Sequence, residues 1–96
     1  MSVRFAPRAR RDLEEIFAYI ASENPEAAVR VRQAIFRTIR FVGARPYVGT
    51  RNARATELRS LLVSRYPYRV HYLLRGSEVW IVHIRHAARR PWQASR

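Results

Sequence analysis

Apolar positions recur at helical spacing through the first half of the chain and as short extended runs through the second. Between Arg8 and Ser22, Leu13, Ile16, Phe17 and Ile20 fall at i, i+3, i+4 and i+7, which puts them on one stripe of an amphipathic helix. Asp12, Glu15 and Tyr19 lie off that stripe, and the two carboxylates read as a solvated face with intrahelical pairing. Asn24-Pro25 is an N-cap and N1 pair, so a tight turn at Glu23-Asn24 folds a second helix back antiparallel to the first. The apolar stripe of that helix is Ala28, Val31, Ile35, Ile39 and Val42, and its other face carries Glu26, Arg30, Gln33, Arg37 and Arg40. Gly43 stands where a C′ residue would end it. Val3–Ala6, ahead of Pro7, predicts a short strand before the first helix.

Ala44–Thr56 mixes Pro46, Gly49 and three arginines without periodicity and predicts an irregular loop. Glu57–Arg65, Tyr68–Arg75 and Val79–His86 are β-branched or apolar runs, bounded by Tyr66-Pro67 and Gly76-Ser77. Gly76 at the first central position suits a type II′ hairpin turn. Such a turn pairs Leu74 with Val79, Tyr72 with Ile81, Val70 with His83 and Tyr68 with Arg85 on one face of the sheet. Leu73 with Trp80, His71 with Val82 and Arg69 with Ile84 share the other face, with His86 diagonally beside Arg69. The element order is β-α-α-β-β-β, an α+β fold with a helical hairpin packed on a small, mainly antiparallel four-stranded sheet.

Composition narrows the partners. A chain of 96 residues with 48% apolar content is enough for one core, and a single domain over 1–96 is expected, with 87–96 as a basic tail lacking its own pattern. The chain holds no cysteine, which excludes disulfide and thiolate sites. Neither an apolar leader nor a window near the roughly 18 apolar residues of a membrane span is present, so a cytoplasmic protein without membrane association is expected. The net charge is +12, and every basic residue is arginine. A GC-rich coding sequence accounts for arginine in place of lysine as well as any function does, but the net charge itself asks for a polyanion or an acidic protein partner.

Four segments then resemble one family: RRDLEEIFAYIA from Arg10, NPEAA from Asn24, ELRSLLVSRYPYRVHYL from Glu57 and VWIVHIRHAARRPW from Val79. In this order they are similar to the RelE/ParE superfamily of toxins from type II toxin–antitoxin systems, of the ParE-like plasmid-stabilisation type. The resemblance implies a curled sheet whose first strand joins the last, and a cognate acidic antitoxin, ParD-like or another type II antitoxin, held in a hetero-oligomer. Two activities occur in the superfamily, inhibition of DNA gyrase and ribosome-dependent cleavage of messenger RNA. A basic RNA-binding protein is a lesser alternative that charge alone permits.

Metal-independent RNA cleavage needs a proton acceptor for the 2′-OH, cations for the phosphorane charge and an acid for the leaving oxygen. Arg69 matches the phosphate-binding arginine that the resemblance implies on the third strand, and His86 stands near its acid/base positions, so these two are the catalytic candidates if the chain is a nuclease. The chain lacks lysine, and no tyrosine follows Trp80, so the lysine- and tyrosine-based nuclease pattern is largely missing. The ending Arg85-His86 through Trp92 resembles the gyrase-directed branch more closely, which makes Arg85, Arg89, Arg90 and Trp92 candidates for target contact. Arg30, Arg37, Arg40, Arg69 and Tyr72 are the candidates for antitoxin contact. Tyr66, Tyr68, Tyr72 and Trp80 interleave with arginines, as base-stacking residues do, although core packing is the commoner use of such aromatics. His83 and His86, three apart on a strand, point to opposite faces, so no metal site and no cofactor is expected.

Overall fold

In a computed structural model, which describes residues 1–87, the chain runs β1 (Ser2–Phe5), α1 (Pro7–Glu23), α2 (Pro25–Ala44), β2 (Thr50–Arg51), β3 (Leu58–Leu62), β4 (Tyr68–Arg75) and β5 (Glu78–His86). Asn24 forms the joint between the helices. Its N–H donates to the Ile20 carbonyl at 2.7 Å to close α1, and its side-chain oxygen accepts from the Ala27 N–H at 3.1 Å to open α2. Pro7 and Pro25 each sit in a first helical turn, where a missing N–H costs nothing.

The strand order is β1-β5-β4-β3-β2, with β1 parallel to β5 and the other neighbours antiparallel. The fold is α+β, as the sequence predicts, but the sheet has five strands rather than four. The extra one is β2, inside the expected loop, where Thr50 pairs with Ser60 and Arg51 with Arg59. Gly43 is not the C′ residue. It lies inside the last turn of α2, which runs on to Ala44, and its carbonyl accepts the N-terminal ammonium at 2.9 Å.

Both helices cover one face of the sheet. Val70, Tyr72, Val79, Ile81 and Ile84 from the strands meet Ala9 and Leu13 of α1 and Val31, Ala34, Ile35, Ile39 and Val42 of α2 in one core cluster. Each buried Val, Ile or Leu contributes about 1.5–3 kcal/mol, so this layer is the main favourable term in folding.

The β4–β5 hairpin begins as predicted. Arg75 pairs with Glu78 around Gly76-Ser77, Gly76 has φ +60°, and Ser77 keeps a negative φ, as a type II′ turn requires. The predicted register holds through Leu74–Val79, Leu73–Trp80 and Tyr72–Ile81, then slips by one residue. Val82 is the extra residue of a β-bulge, and beyond it His71 pairs with His83, Val70 with Ile84, Arg69 with Arg85 and Tyr68 with His86. A one-residue slip sends each later side chain of β5 to the other face. The predicted pairs of Val70 with His83, His71 with Val82, Arg69 with Ile84 and Tyr68 with Arg85 are therefore corrected.

Tyr72 is a core residue. It is fully buried, its hydroxyl donates to the Pro46 carbonyl at 2.8 Å and accepts from the Gly49 N–H at 2.8 Å, and burial pushes its ionisation above the ordinary range. Arg59, opposite it on β3, donates to the carbonyls of Tyr47 and Gly49 at 3.2 and 3.1 Å. These bonds hold residues 46–49 close against the sheet and bring β2 to its edge. A Cβ on Gly49 would stand 2.5 Å from the Tyr72 hydroxyl and 2.9 Å from the Ser60 carbonyl. Gly49→Ala should therefore lower stability by about 1–3 kcal/mol, the usual cost of overpacking, read as a shift in the urea midpoint. An unchanged midpoint would show that the segment does not bear on the core.

Candidate functional site

The bulge decides which polar side chains share the sheet face turned away from the helices. On that outer face two cross-strand rows lie side by side: Ser60, His71 and His83 in one, and Leu62, Arg69 and Arg85 in the next. The His71 and His83 rings meet edge to face with centroids 6.4 Å apart. Arg69 donates to the Ser60 hydroxyl at 3.0 Å, and Arg85 lies 3.4 Å from His83 Nε2.

Asp12 reaches this group from α1. It is 8% exposed, and its carboxylate accepts the Ile84 backbone N–H at 3.0 Å, lies 2.9 Å from His83 Nδ1 and pairs with Arg8 at 3.2 Å. The predicted intrahelical partner is present in Arg8, but the solvated face is not, because the carboxylate is turned into the fold. Nδ1 is the ring nitrogen that donates to the carboxylate, which turns Nε2 toward Arg85.

Burial lowers His71 from 6.5 to about 4, and the charges of Arg85, His83 and Arg69 add to that effect against a weaker opposing pull from Asp12. His71 is thus neutral at physiological pH, in the middle of a cationic face.

Arg69 and His86, the candidate nuclease pair, do not converge. Arg69 is on the outer face, whereas His86 is on the helix side, its ring edge-on to Tyr68 at 5.3 Å. His86 lines a cleft of about 410 Å³ with Asp12, Glu15, Ile16, Tyr19, Tyr68 and Ile84, and its Nδ1 is buried without a hydrogen-bond partner among the described residues. His83 and His86 do face opposite ways. Among the described residues no three histidines or carboxylates gather closely enough for a metal ion.

The candidates for antitoxin contact separate into three places. Arg30, Arg37 and Arg40 are exposed along α2, Arg69 is half-buried across the sheet from them, and Tyr72, buried in the core, offers no surface to a partner. Of the candidates for target contact, Arg85 is half-buried on the outer face, and Arg89, Arg90 and Trp92 lie outside the described residues. No helix of the described residues is long and apolar enough to cross a membrane. Asp12, His71, His83 and Ser60 are functional candidates that periodicity missed. The bulge has no periodic signature, and ideal pairing puts His83 on the core face.

A helical hairpin on one side of a mixed sheet, with a first strand parallel to the last, is the fold of the RelE/ParE toxins. The solved chromosomal ParDE toxin–antitoxin system from P. aeruginosa superimposes with a TM-score of 0.79 at 24% identity, over 90% of this chain and 95% of that one. The isolated E. coli RelE toxin superimposes with a TM-score of 0.71 at 13% identity, over 98% and 92%. At those identities the likeness concerns fold alone. A Sinorhizobium fredii protein named "Putative toxin Y4kP" is 34% identical over 85 residues, covering 88% of this chain and 86% of the relative. The family model for the ParE toxin of the type II toxin–antitoxin system parDE matches residues 3–91, and the chain belongs to that family.

The lowered His71 makes stability pH-dependent with a definite sign. Between about 6.5 and 4 the unfolded chain binds a proton at this ring that the folded chain does not, so folding weakens as the pH falls through that window. Urea midpoints at pH 7 and pH 5 should draw together in His71→Gln. The same pH dependence in variant and parent would show that His71 is not its source.

Proposed function

We propose that the chain is the toxin half of a toxin–antitoxin pair, that an acidic antitoxin neutralises it, and that it arrests growth by inhibiting DNA gyrase. Membership of the ParE family supports the pairing. The observation that carries the gyrase reading is the bulge at Val82, which parts Arg69 from His86 and leaves the expected nuclease pair on opposite faces of the sheet. No cofactor is called for.

Antitoxin contact is best supported along α2. Arg30 and Arg37 line one groove with Gln33, Ser64, Arg65 and Tyr66, and Arg37 and Ser64 continue into an apolar one with Phe41, Leu61 and Leu62. Phe41 and Leu62 are 45% and 50% exposed, an apolar strip beside arginines that fits the apolar and acidic sides of one amphipathic segment. Arg40 extends the basic side along the same helix. Leu62 is also the cross-strand neighbour of Arg69, so the strip adjoins that arginine at the end of β3. Arg85, with Arg89, Arg90 and Trp92 beyond it, is assigned to the target.

Inducing the chain without its antitoxin separates gyrase inhibition from the messenger RNA alternative. Double-strand DNA breaks and a DNA-damage response with intact messages are expected. Message cleavage at preferred codons with intact DNA would overturn the gyrase reading.

A further inference from the structure

A cleft opens between α1 and the far end of the β4–β5 hairpin, past the point where β1 stops at Ile81. Asp12, Glu15, Ile16 and Tyr19 fall at i, i+3, i+4 and i+7, so α1 turns one face to it, and Tyr68, Ile84 and His86 line it from the sheet. Its volume of about 410 Å³ falls in the range of small-ligand sites, roughly 300–1,000 Å³. In a chain of net charge +12, the residues that line this cleft include no arginine. Its free carboxylate is Glu15, which has no ion pair or hydrogen bond among the described residues, whereas Asp12 is taken up by Arg8, His83 and the Ile84 N–H.

A second observation points to a ligand. His86, in the same lining, has its Nδ1 buried with no hydrogen-bond partner among the described residues, so the cost of taking that atom out of water is unanswered. A neutral imidazole keeps one bare nitrogen, and a bare Nδ1 takes an N–H donor. The matching ligand brings positive charge to Glu15 and N–H groups to His86, between the rings of Tyr19 and Tyr68. An ammonium is a compact, strongly hydrated point charge. A guanidinium is planar and weakly hydrated, meets a carboxylate with two parallel N–H groups, keeps others for a second acceptor, and stacks on aromatic faces. We propose that the cleft binds an alkylguanidinium group, with Glu15 accepting two of its N–H groups and His86 Nδ1 a third. Tyr19 and Tyr68 flank its plane, and Ile16 and Ile84 cover its methylenes. The site goes beyond the toxin reading, and none of its residues is assigned there to the antitoxin or to gyrase.

The test titrates the full chain at about pH 8 and 0.15 M salt with N-acetylargininamide, N-acetyllysinamide and methylguanidinium, read by the ring resonances of its histidines and tyrosines. N-acetylargininamide should move those of His86, Tyr19 and Tyr68 saturably, and N-acetyllysinamide should bind about tenfold more weakly or not at all. Two sources of the group are separated by methylguanidinium, which lacks the methylene chain. Binding about tenfold weaker than that of N-acetylargininamide assigns the site to an arginine side chain of a protein, and equal binding assigns it to a free small guanidinium compound. Glu15→Gln should weaken N-acetylargininamide binding about tenfold and Tyr19→Leu about threefold, while Glu23→Gln, on α1 outside the cleft, should not. Glu15 and Tyr19 are exposed, so both variants should keep the parent's urea midpoint. Equal affinity for the arginine and lysine compounds, full affinity in Glu15→Gln, a His86 ring left unmoved, or a proton on its Nδ1 in the free protein would overturn the proposal.

Discussion

The carboxylate of Asp12 is the constraint around which the rest of the molecule is arranged. β1 pairs with β5 only as far as Ile81, where Ala6 donates the last bond and the chain turns into α1. Beyond that point β5 keeps β4 on one side but has no strand on its β1 side, and a buried backbone N–H left there would cost about 1–3 kcal/mol. Asp12 accepts the Ile84 N–H and so continues the edge with a side chain where the strand has ended. The same carboxylate takes His83 Nδ1 and Arg8, so one buried group fixes the first helix to the sheet and sets the orientation of a ring on the opposite face.

That arrangement explains which parts of the fold could be read in the sequence. The helical hairpin was legible because Asn24-Pro25 and two clean stripes are local signals, and each residue of the α2 stripe is buried. The β4–β5 hairpin was legible from Gly76 inward for the same reason. Its far end was not, because adding Val82 leaves the alternation of apolar residues around it plausible in either register while exchanging the two faces. β2 is two residues long, too short for any period. Asp12 lies one residue from the apolar stripe of α1, and its role comes from a backbone group 72 positions away, which no helical pattern records.

The site was legible in its residue types rather than in its grouping. Arg69 is where a phosphate-binding arginine was expected, but its neighbours are His71, His83 and Arg85 rather than His86. The bulge thus does two things at once. It takes apart the pair that the resemblance to nuclease toxins pointed to, and it gathers two arginines and two imidazoles that the ideal register would have scattered. The basic surface has two parts: the α2 arginines border exposed apolar residues, among them Leu62, which is also the cross-strand neighbour of Arg69, whereas Arg85 borders an imidazole.

The join between α1 and β5 rests most directly on Asp12 holding His83 with a proton on Nδ1. Nitrogen-15 correlation spectra of the histidine rings at pH 8 read this without any assay of activity. A His83 ring that carries a proton on Nδ1 is the predicted result, with Asp12→Asn altering it. A ring carrying its proton on Nε2 in the parent protein would contradict the account.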